Sequence, residues 1–280
     1  MTVNELKNAI EVQLQAGGCE TPAFDALCLL EDIGGVGRGK VEMSLSAELP
    51  NDRSYAVLEA AKRRADGEPL QYILGTWDFL NLTLEVGEGV LIPRPETEML
   101  CEIAAKKLSK TSGAHVLDLC AGTGCVGLGI ASLKPDVRVT AVEVSEQALY
   151  YLNRNRARYP ALSVTAQKAD VLTDYDTFTE PVDAIVSNPP YIPDADMPSL
   201  QREVQHEPRL ALAAGDGYRF YRVLAEHWTQ RLKPNGFIAV EVGIGQSDTV
   251  ESLFRNAGLH HVCSVKDFAG IPRVVFGRKE

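Results

Sequence analysis

The chain has 280 residues, enough for one large domain or two ordinary ones. With 45% hydrophobic and 24% charged residues, its composition is that of a globular protein with a packed core, and no apolar run approaches the ~18 residues of a membrane span. The N-terminal segment mixes charge with helical periodicity and lacks the apolar stretch of a secretory signal, so we expect a cytoplasmic protein and no membrane partner.

The net charge argues against a nucleic-acid partner, and the spacing of the cysteines argues against a metal site. The formal net charge is −10, which disfavours nucleic acid as a partner, because a protein that grips a phosphate backbone usually carries a basic face. The two basic clusters, AKRR at 61–64 and NRNRAR at 153–158, are interpreted as solvated helix faces. The six cysteines are scattered without a CxxC pair, so we expect reduced, mostly buried thiols and no metal site.

Residues 1–75 are predicted to form a small all-α domain. Apolar residues recur at intervals of three and four in VNELKNAIEVQL, in FDALCLLEDIG and in YAVLEAAKRRA, and glycines and prolines separate these segments.

Residues 76–92 are predicted to form a β-hairpin linker. Apolar and polar side chains alternate there as in a strand, and Gly87 and Gly89 indicate a turn.

From residue 93 to residue 280, strand patterns alternate with helical ones. This alternation predicts an α/β fold with a doubly wound, mostly parallel sheet. Two further runs in HHVCSVKDFAGIPRVVFGR predict an antiparallel hairpin at the edge of the sheet. The apolar strand candidates are Val116–Leu119, Val137–Val142, Leu162–Ala166, Val182–Val186 and Phe237–Val242.

A glycine-rich loop follows the first of these strands. Gly122, Gly124 and Gly127 are spaced as G-x-G-x-x-G between a strand and a helix, which is typical of a nucleotide site. Glu143 ends the next strand, about 20 residues further on, where an acid binds ribose hydroxyls. Asp118 precedes the glycines, and its carboxylate would repel a pyrophosphate but suit an ammonium or sulfonium group. We therefore favour S-adenosylmethionine over NAD as the ligand of this loop. The third possibility is a loop that binds no ligand and only turns the chain from strand to helix.

A second motif, Asn188-Pro189-Pro190-Tyr191, follows the strand candidate Val182–Val186 at its carboxyl end, where α/β sheets bind ligands. Proline has no N–H that would occupy a neighbouring carbonyl. The Asn188 side-chain oxygen and a nearby backbone carbonyl can therefore converge as two acceptors on one planar NH2 group. We predict catalytic roles for Asn188 and Pro189 and substrate contacts for all four residues. The alternative is a stiff turn without a ligand.

The stretch LDLCAGTG resembles motif I of class I S-adenosylmethionine-dependent methyltransferases. The resemblance implies a Rossmann-like sheet and a cofactor site in which Asp170 meets the adenine amine and Val171 the ring, unless Asp170 only forms a turn. Such loops often have glycine where this chain has Cys120, so the backbone there is expected to be constrained. The implied cofactor residues are Asp118, Cys120, Ala121, Gly122, Thr123, Gly124, Glu143, Asp170, Val171 and Asn188.

Further blocks resemble the glutamine methyltransferase of peptide-chain release factors. They are EPLQYILG (68–75), VLIPRPETE (90–98), NPPYIP (188–193), EPRLAL (207–212), GDGYRFYR (215–222), LKPNGFIAVEVGIGQ (232–246) and DFAGIPRVV (267–275). The resemblance implies methyl transfer to the side-chain amide nitrogen, N5, of the glutamine in the release factor's Gly-Gly-Gln loop. It also implies that the helical domain holds the protein substrate.

Three alternatives stay open at this stage. The first is an enzyme that methylates a ribosomal-protein glutamine, and the second, disfavoured by the acidic charge, is a DNA or RNA amino-methyltransferase. The third is a non-catalytic S-adenosylmethionine-binding adaptor. The sequence also leaves open whether Arg94, Glu96, Thr97 and Glu98 belong to the pocket or only begin a helix.

Overall fold

The structure is a computed structural model that describes all residues from 1 to 280. The chain forms two compact units, residues 1–76 with 201–206, and residues 77–200 with 207–280. The segment predicted as a linker, 76–92, thus lies in the second unit apart from its first residue. None of the helices is both long enough and apolar enough to cross a bilayer.

The first unit contains four helices, α1 (Val3–Ala16), α2 (Pro22–Asp32), α3 (Asn51–Ala65) and α4 (Leu70–Leu74). Thr2 and Glu5 form a reciprocal capping box at the start of α1. The apolar stripe of α1, with Leu6, Ile10 and Leu14 fully buried, packs into the core of this unit as its periodicity predicts.

Arg64 corrects one sequence interpretation. The AKRR cluster was expected to be a solvated face, but Arg64 is only 7% exposed. Its guanidinium donates to Asp25 Oδ2 at 2.6 Å and to Glu203 Oε1 at 2.9 Å, so its charge is paired inside the unit. Sequence periodicity alone does not reveal this, because the partners are 39 and 139 residues away.

The second unit begins with a hairpin of β1 (Thr76–Phe79) and β2 (Leu82–Glu85). The predicted turn at Gly87 and Gly89 is present, and the Val90 N–H donates to the Gly87 carbonyl across it at 3.4 Å, but it is not the turn of the hairpin, because the chain already reverses at Leu80 and Asn81. Leu80 adopts a left-handed backbone with φ 52°, which a leucine seldom does, and this hid the turn from a search for glycine.

The rest of the second unit is the predicted doubly wound sheet. Its elements are α5 (Pro95–Lys107), β3 (His115–Leu119), α6 (Cys125–Leu133), β4 (Arg138–Glu143), α7 (Glu146–Arg158), β5 (Val164–Lys168), β6 (Val182–Ser187), α8 (Arg209–Leu212), α9 (Arg219–Glu226), β7 (Leu232–Glu241), α10 (Ser247–Asn256), β8 (His260–Lys266) and β9 (Pro272–Arg278). The strand order is β5-β4-β3-β6-β7-β9-β8.

Strands β5, β4, β3, β6 and β7 are parallel, whereas β9 and β8 are antiparallel to their neighbours. This confirms the α/β fold with an antiparallel C-terminal edge. The chain winds outward from β3 in both directions, so the order reverses between β3 and β6. A crevice opens at the carboxyl ends of strands at such a point, and open α/β sheets bind their ligands there.

The sheet has a hydrophobic layer on each face. One layer includes Val116 of β3, Leu100 of α5 and Ile130 of α6, and the other includes Leu117, Trp228 and Phe254. Strand residues that are apolar on both faces are typical of a parallel sheet covered by helices on both sides. The two layers hold the carboxyl ends of β3 and β6 in fixed positions.

Candidate active site

A cavity of about 170 Å³ lies at the carboxyl ends of β3, β4 and β6. This volume is more than ten times what one water molecule needs, so the cavity can hold a much larger molecule. Eight of the ten predicted cofactor residues line it, and Asp118 and Gly124 do not. The eight are Cys120, Ala121, Gly122, Thr123, Glu143, Asp170, Val171 and Asn188.

The glycine loop has the backbone that its sequence suggests. Gly122 and Gly124 have φ of 56° and 82°, in the left-handed region that favours glycine. A Cβ on Gly124 would also clash with Leu152. Cys120 has φ 62°, so the constraint expected from its side chain is present at the start of the loop. Gly124 is the N-cap of α6, which directs the first N–H groups of that helix toward the loop.

Asp118 lies beneath this loop instead of on the cavity wall. Its Oδ2 accepts a hydrogen bond from the Gly127 N–H at 2.8 Å, whereas its buried Oδ1 has no partner. Burial raises the pKa of Asp118 to about 7. The structure therefore gives Asp118 a role in holding the loop, and contact with a methionine ammonium stays a prediction.

Glu143 ends β4 on the cavity wall. Its Oε2 accepts from the Gly122 N–H at 2.8 Å, and its Oε1 accepts from Val144 and Ser145, each at 2.9 Å. Burial raises the pKa of Glu143, while these three N–H groups oppose the rise. Oε2 accepts one protein hydrogen bond and has a second lone pair for a ligand hydroxyl.

Asp170 and Val171 line the cavity after β5. Asp170 Oδ1 accepts from the Leu172 N–H at 2.8 Å, the turn geometry that was the alternative for this residue. The Trp228 indole N–H donates to the Val171 carbonyl at 2.9 Å and fixes this wall of the cavity. A turn role does not occupy both carboxylate oxygens of Asp170, so contact with an adenine amine stays a prediction.

Asn188 and Pro190 reach the cavity wall directly after β6. Asn188 Nδ2 donates to Thr97 Oγ1 at 3.1 Å, and no protein group donates to Asn188 Oδ1. No N–H of the protein donates to the Pro189 carbonyl either, as the two prolines predict. Two acceptors next to each other in the motif thus have no protein donor, and the first of them belongs to a residue of the cavity wall.

Pro189 and Tyr191 do not line the cavity. Pro189 is buried and Tyr191 is partly buried, and burial raises the pKa of Tyr191 to about 12. The Tyr191 carbonyl accepts from Gln246 Nε2 at 2.9 Å, which anchors the end of the motif. Direct substrate contact by the Tyr191 ring stays a prediction.

The segment around Arg94 forms another wall of the cavity, and two of its four candidate pocket residues lie on that wall. Arg94 and Thr97 line the cavity, whereas Glu96 and Glu98 do not. Glu98 instead accepts from the Leu80 N–H at 2.8 Å and ties α5 to the hairpin.

Glu207 holds this wall and was missed by sequence reasoning. Its buried carboxylate accepts from the Ile92 N–H at 3.0 Å and pairs with the Arg94 guanidinium. Pro208, directly after it, lines the cavity. The only sequence signal was the EPRLAL block, whose acid has no motif spacing to Arg94.

No group of three or more His, Cys, Asp and Glu side chains is placed to hold a metal ion. All six cysteines are free thiols. Burial raises the pKa of the Cys120 thiol, which lines the cavity. Burial also raises the pKa of the Cys125 thiol, to about 12. Both thiols therefore stay protonated near neutral pH.

Family models match both units. Residues 97–216 match the methyltransferase small domain, and residues 5–75 match the PrmC N-terminal domain. Among solved structures, the chain resembles the hMettl16 catalytic domain in complex with MAT2A 3'UTR hairpin 6, with TM-score 0.58 and 14% identity over 82% of this chain and 83% of that one. It also resembles a T. thermophilus 16S rRNA N2 G1207 methyltransferase in complex with AdoMet and guanosine, with TM-score 0.53 and 23% identity over 73% of this chain and 50% of that one. At these identities the likeness shows the fold alone.

The fold, the glycine loop and the matched methyltransferase domain define this protein as a methyltransferase. Curated relatives resolve the class further. The release factor glutamine methyltransferase of Caulobacter vibrioides is 36% identical over 100% of this chain and 97% of its own length. That of Geobacter sulfurreducens is 37% identical over 99% of this chain and 96% of its own. The chain belongs to the release factor glutamine methyltransferase family.

Proposed function

We propose that this protein transfers the methyl group of S-adenosyl-L-methionine to the side-chain amide nitrogen, N5, of the glutamine in the Gly-Gly-Gln loop of peptide-chain release factors. The single observation that carries the chemistry is Asn188 at the wall of a cavity that also meets the glycine loop, with no protein donor on its Oδ1 and none on the carbonyl of the adjacent, buried Pro189. Family membership supports the substrate. The proposed compartment is the cytoplasm, because the proposed substrate acts in translation.

The cavity residues fit S-adenosylmethionine in three respects. Gly122 carries no side chain, and a Cβ there would meet only Val90 Cγ2, at 3.9 Å, so a ligand can approach the backbone closely. Thr123 Oγ1 is buried beside the cavity without a partner, as is expected of a group that awaits a ligand. Glu143 offers a free lone pair for a ribose hydroxyl. No metal ion is part of the proposal.

S-adenosylmethionine supplies a methyl group activated by its attachment to a positively charged sulfur. The amide nitrogen of glutamine is a poor nucleophile, because its lone pair is delocalised into the carbonyl. Asn188 Oδ1 and the Pro189 carbonyl each accept one N–H of that amide. Both interactions strengthen as positive charge develops on nitrogen, so they stabilise the transition state more than the ground state.

The transfer forms one N–C bond and breaks one S–C bond, whose electron pair stays on sulfur. The methylated nitrogen then loses a proton to water, and no general base is required. Alignment of the nitrogen with the methyl group can supply roughly 7–11 kcal/mol of the rate enhancement. Holding the amide is therefore the main task of the Asn188 turn.

The test offers labelled S-adenosylmethionine with purified release factor, ribosomal proteins and DNA in parallel. The control is the same release factor with the glutamine of its Gly-Gly-Gln loop replaced. Label on the release factor that disappears in the control supports the proposal. Label on ribosomal protein or DNA would retain the acceptor chemistry and overturn the substrate, and bound cofactor without any transfer would favour an adaptor.

A further inference from the structure

Two hydrogen bonds connect Asn188 to the core of the second unit. Asn188 Nδ2 donates to Thr97 Oγ1 at 3.1 Å, and Thr97 Oγ1 donates to Glu241 Oε2 at 2.6 Å. Thr97 is fully buried, and Glu241 is 3% exposed. Thr97 belongs to the first turn of α5 and Glu241 ends β7, and these two elements pack against each other. The hydroxyl and the carboxylate are therefore held by rigid backbone.

The proton of the Thr97 hydroxyl decides which way the Asn188 amide faces. A hydroxyl has one proton to donate, and an ionised carboxylate only accepts. Thr97 must therefore donate to Glu241, and its oxygen can only accept from Asn188. Asn188 must turn its NH2 toward Thr97, which leaves Oδ1 as the end available to the cavity. Asn188 has no other side-chain hydrogen bond in the protein that would set this choice.

We propose that Thr97 and Glu241 are positioning residues that fix the Asn188 amide with its oxygen toward the substrate nitrogen. The inference rests on the proposed function. The two ends of an amide have nearly the same shape, so packing alone discriminates poorly between them. A reversed Asn188 would present NH2 to the NH2 of the substrate, and one of the two acceptors would be lost.

The positioning of Asn188 requires an ionised Glu241, and the groups that face this carboxylate determine the pH at which it ionises. They are Arg94, Glu96 and Cys101 at α5, Cys125 of α6, Tyr191 after β6, Tyr221 of α9 and Arg273 of β9. Burial and Glu96 raise the pKa of Glu241 to about 7, against the Thr97 hydrogen bond and the two arginines. A protonated Glu241 can donate to Thr97, and the Thr97 hydroxyl can then donate to Asn188 Oδ1 and reverse the amide.

The kinetic test compares Thr97→Val, which keeps the shape but removes the hydroxyl, with Thr97→Ser, which keeps the hydroxyl. Thr97→Val is expected to lower kcat by about 10- to 100-fold, by analogy with the loss that follows removal of a hydrogen-bond partner that orients a metal ligand. KM for release factor and Kd for S-adenosylmethionine should stay unchanged, and Thr97→Ser should restore most of kcat. The wild-type kcat should fall as pH drops through about 7, and Glu241→Gln should lose this dependence, because an amide does not titrate in this range.

A second readout does not depend on methyl transfer. Protein labelled with 15N only at asparagine gives a side-chain amide signal for Asn188, which is identified by its loss in Asn188→Asp. This signal should shift in Thr97→Val and stay in place in Thr97→Ser. An unchanged signal and unchanged kcat in Thr97→Val would overturn the positioning role. A shifted signal in a protein that methylates no substrate would support the positioning role while the proposed function fails.

Discussion

Replacement of Asn188 by alanine removes one of the two acceptors proposed to hold the substrate amide. The Pro189 carbonyl stays, and so does the glycine loop that would hold the cofactor. One well-placed polar group that acts on developing charge contributes about 3–4 kcal/mol to the transition state. We therefore expect Asn188→Ala to lower kcat by about 10²–10³-fold.

The same substitution should leave the rest of the protein nearly unchanged. The lost side chain is partly exposed, and Thr97 keeps its hydrogen bond to Glu241, so the free energy of unfolding should fall by about 1 kcal/mol or less. Single-turnover transfer from saturating S-adenosylmethionine measures the rate, and calorimetric titration measures cofactor affinity. Asn153→Ala, on the exposed face of α7, is the matched control and should behave as wild type. Near-normal turnover in Asn188→Ala would refute the acceptor role.

Three further predictions concern the cavity and its support. Gly124→Ala should weaken S-adenosylmethionine binding by at least about tenfold. A Cβ at this position meets the buried Leu152 side chain, and the backbone φ of 82° is left-handed, which disfavours alanine. Titration of the variant with S-adenosylmethionine measures the loss of affinity. Glu207→Ala should lower both cofactor affinity and the free energy of unfolding. The loss of unfolding free energy should be about 1–3 kcal/mol, because the Ile92 N–H loses its acceptor while the Arg94 guanidinium, which loses its partner, stays partly solvated. Binding titration and urea denaturation measure the two losses. Burial raises the pKa of Asp118 and of Glu241 to about 7 each, so the folded protein keeps protons that the unfolded chain has released. This stability is fully present below the unfolded pKa values near 4 and is lost as pH rises through about 7, at up to about 1.4 kcal/mol per pH unit for each group. Asp118→Asn should flatten that slope in urea denaturation; an unchanged slope would contradict the assignment.

Much of the fold follows from local sequence pattern. The parallel strands are short apolar runs bounded by turn residues, and the helices between them have a 3.6-residue period, so each element is visible within about ten residues. The hairpin turn was misplaced because Leu80 takes a backbone that glycine usually takes. No local pattern announces such a residue.

The residues of the site likewise fall into those that a local sequence pattern reveals and those that it does not. Gly122 and Asn188, which line the cavity, could be predicted because each belongs to a motif of residues that are neighbours in sequence. Glu241 and Glu207 were missed because their partners lie 144 and at least 113 residues away, and a single sequence carries no signal of such pairs.

Asp118 shows a different limit. Its position one turn before the glycines predicts a ligand contact, which stays a prediction, but did not reveal that one carboxylate oxygen accepts from the Gly127 N–H below the loop. Side-chain direction at a strand end depends on which face of the sheet the residue occupies. Sequence spacing alone does not determine that face at the last residues of a strand.

The most direct test of the central claim is the position of the transferred methyl group. Release factor is incubated with this protein and S-adenosylmethionine that carries a deuterated methyl group, and the peptide with the Gly-Gly-Gln loop is fragmented in a mass spectrometer. We expect the label on the side-chain amide nitrogen of that glutamine, and its near-complete loss with Asn188→Ala. Label on any other atom, or full labelling by Asn188→Ala, would contradict the claim.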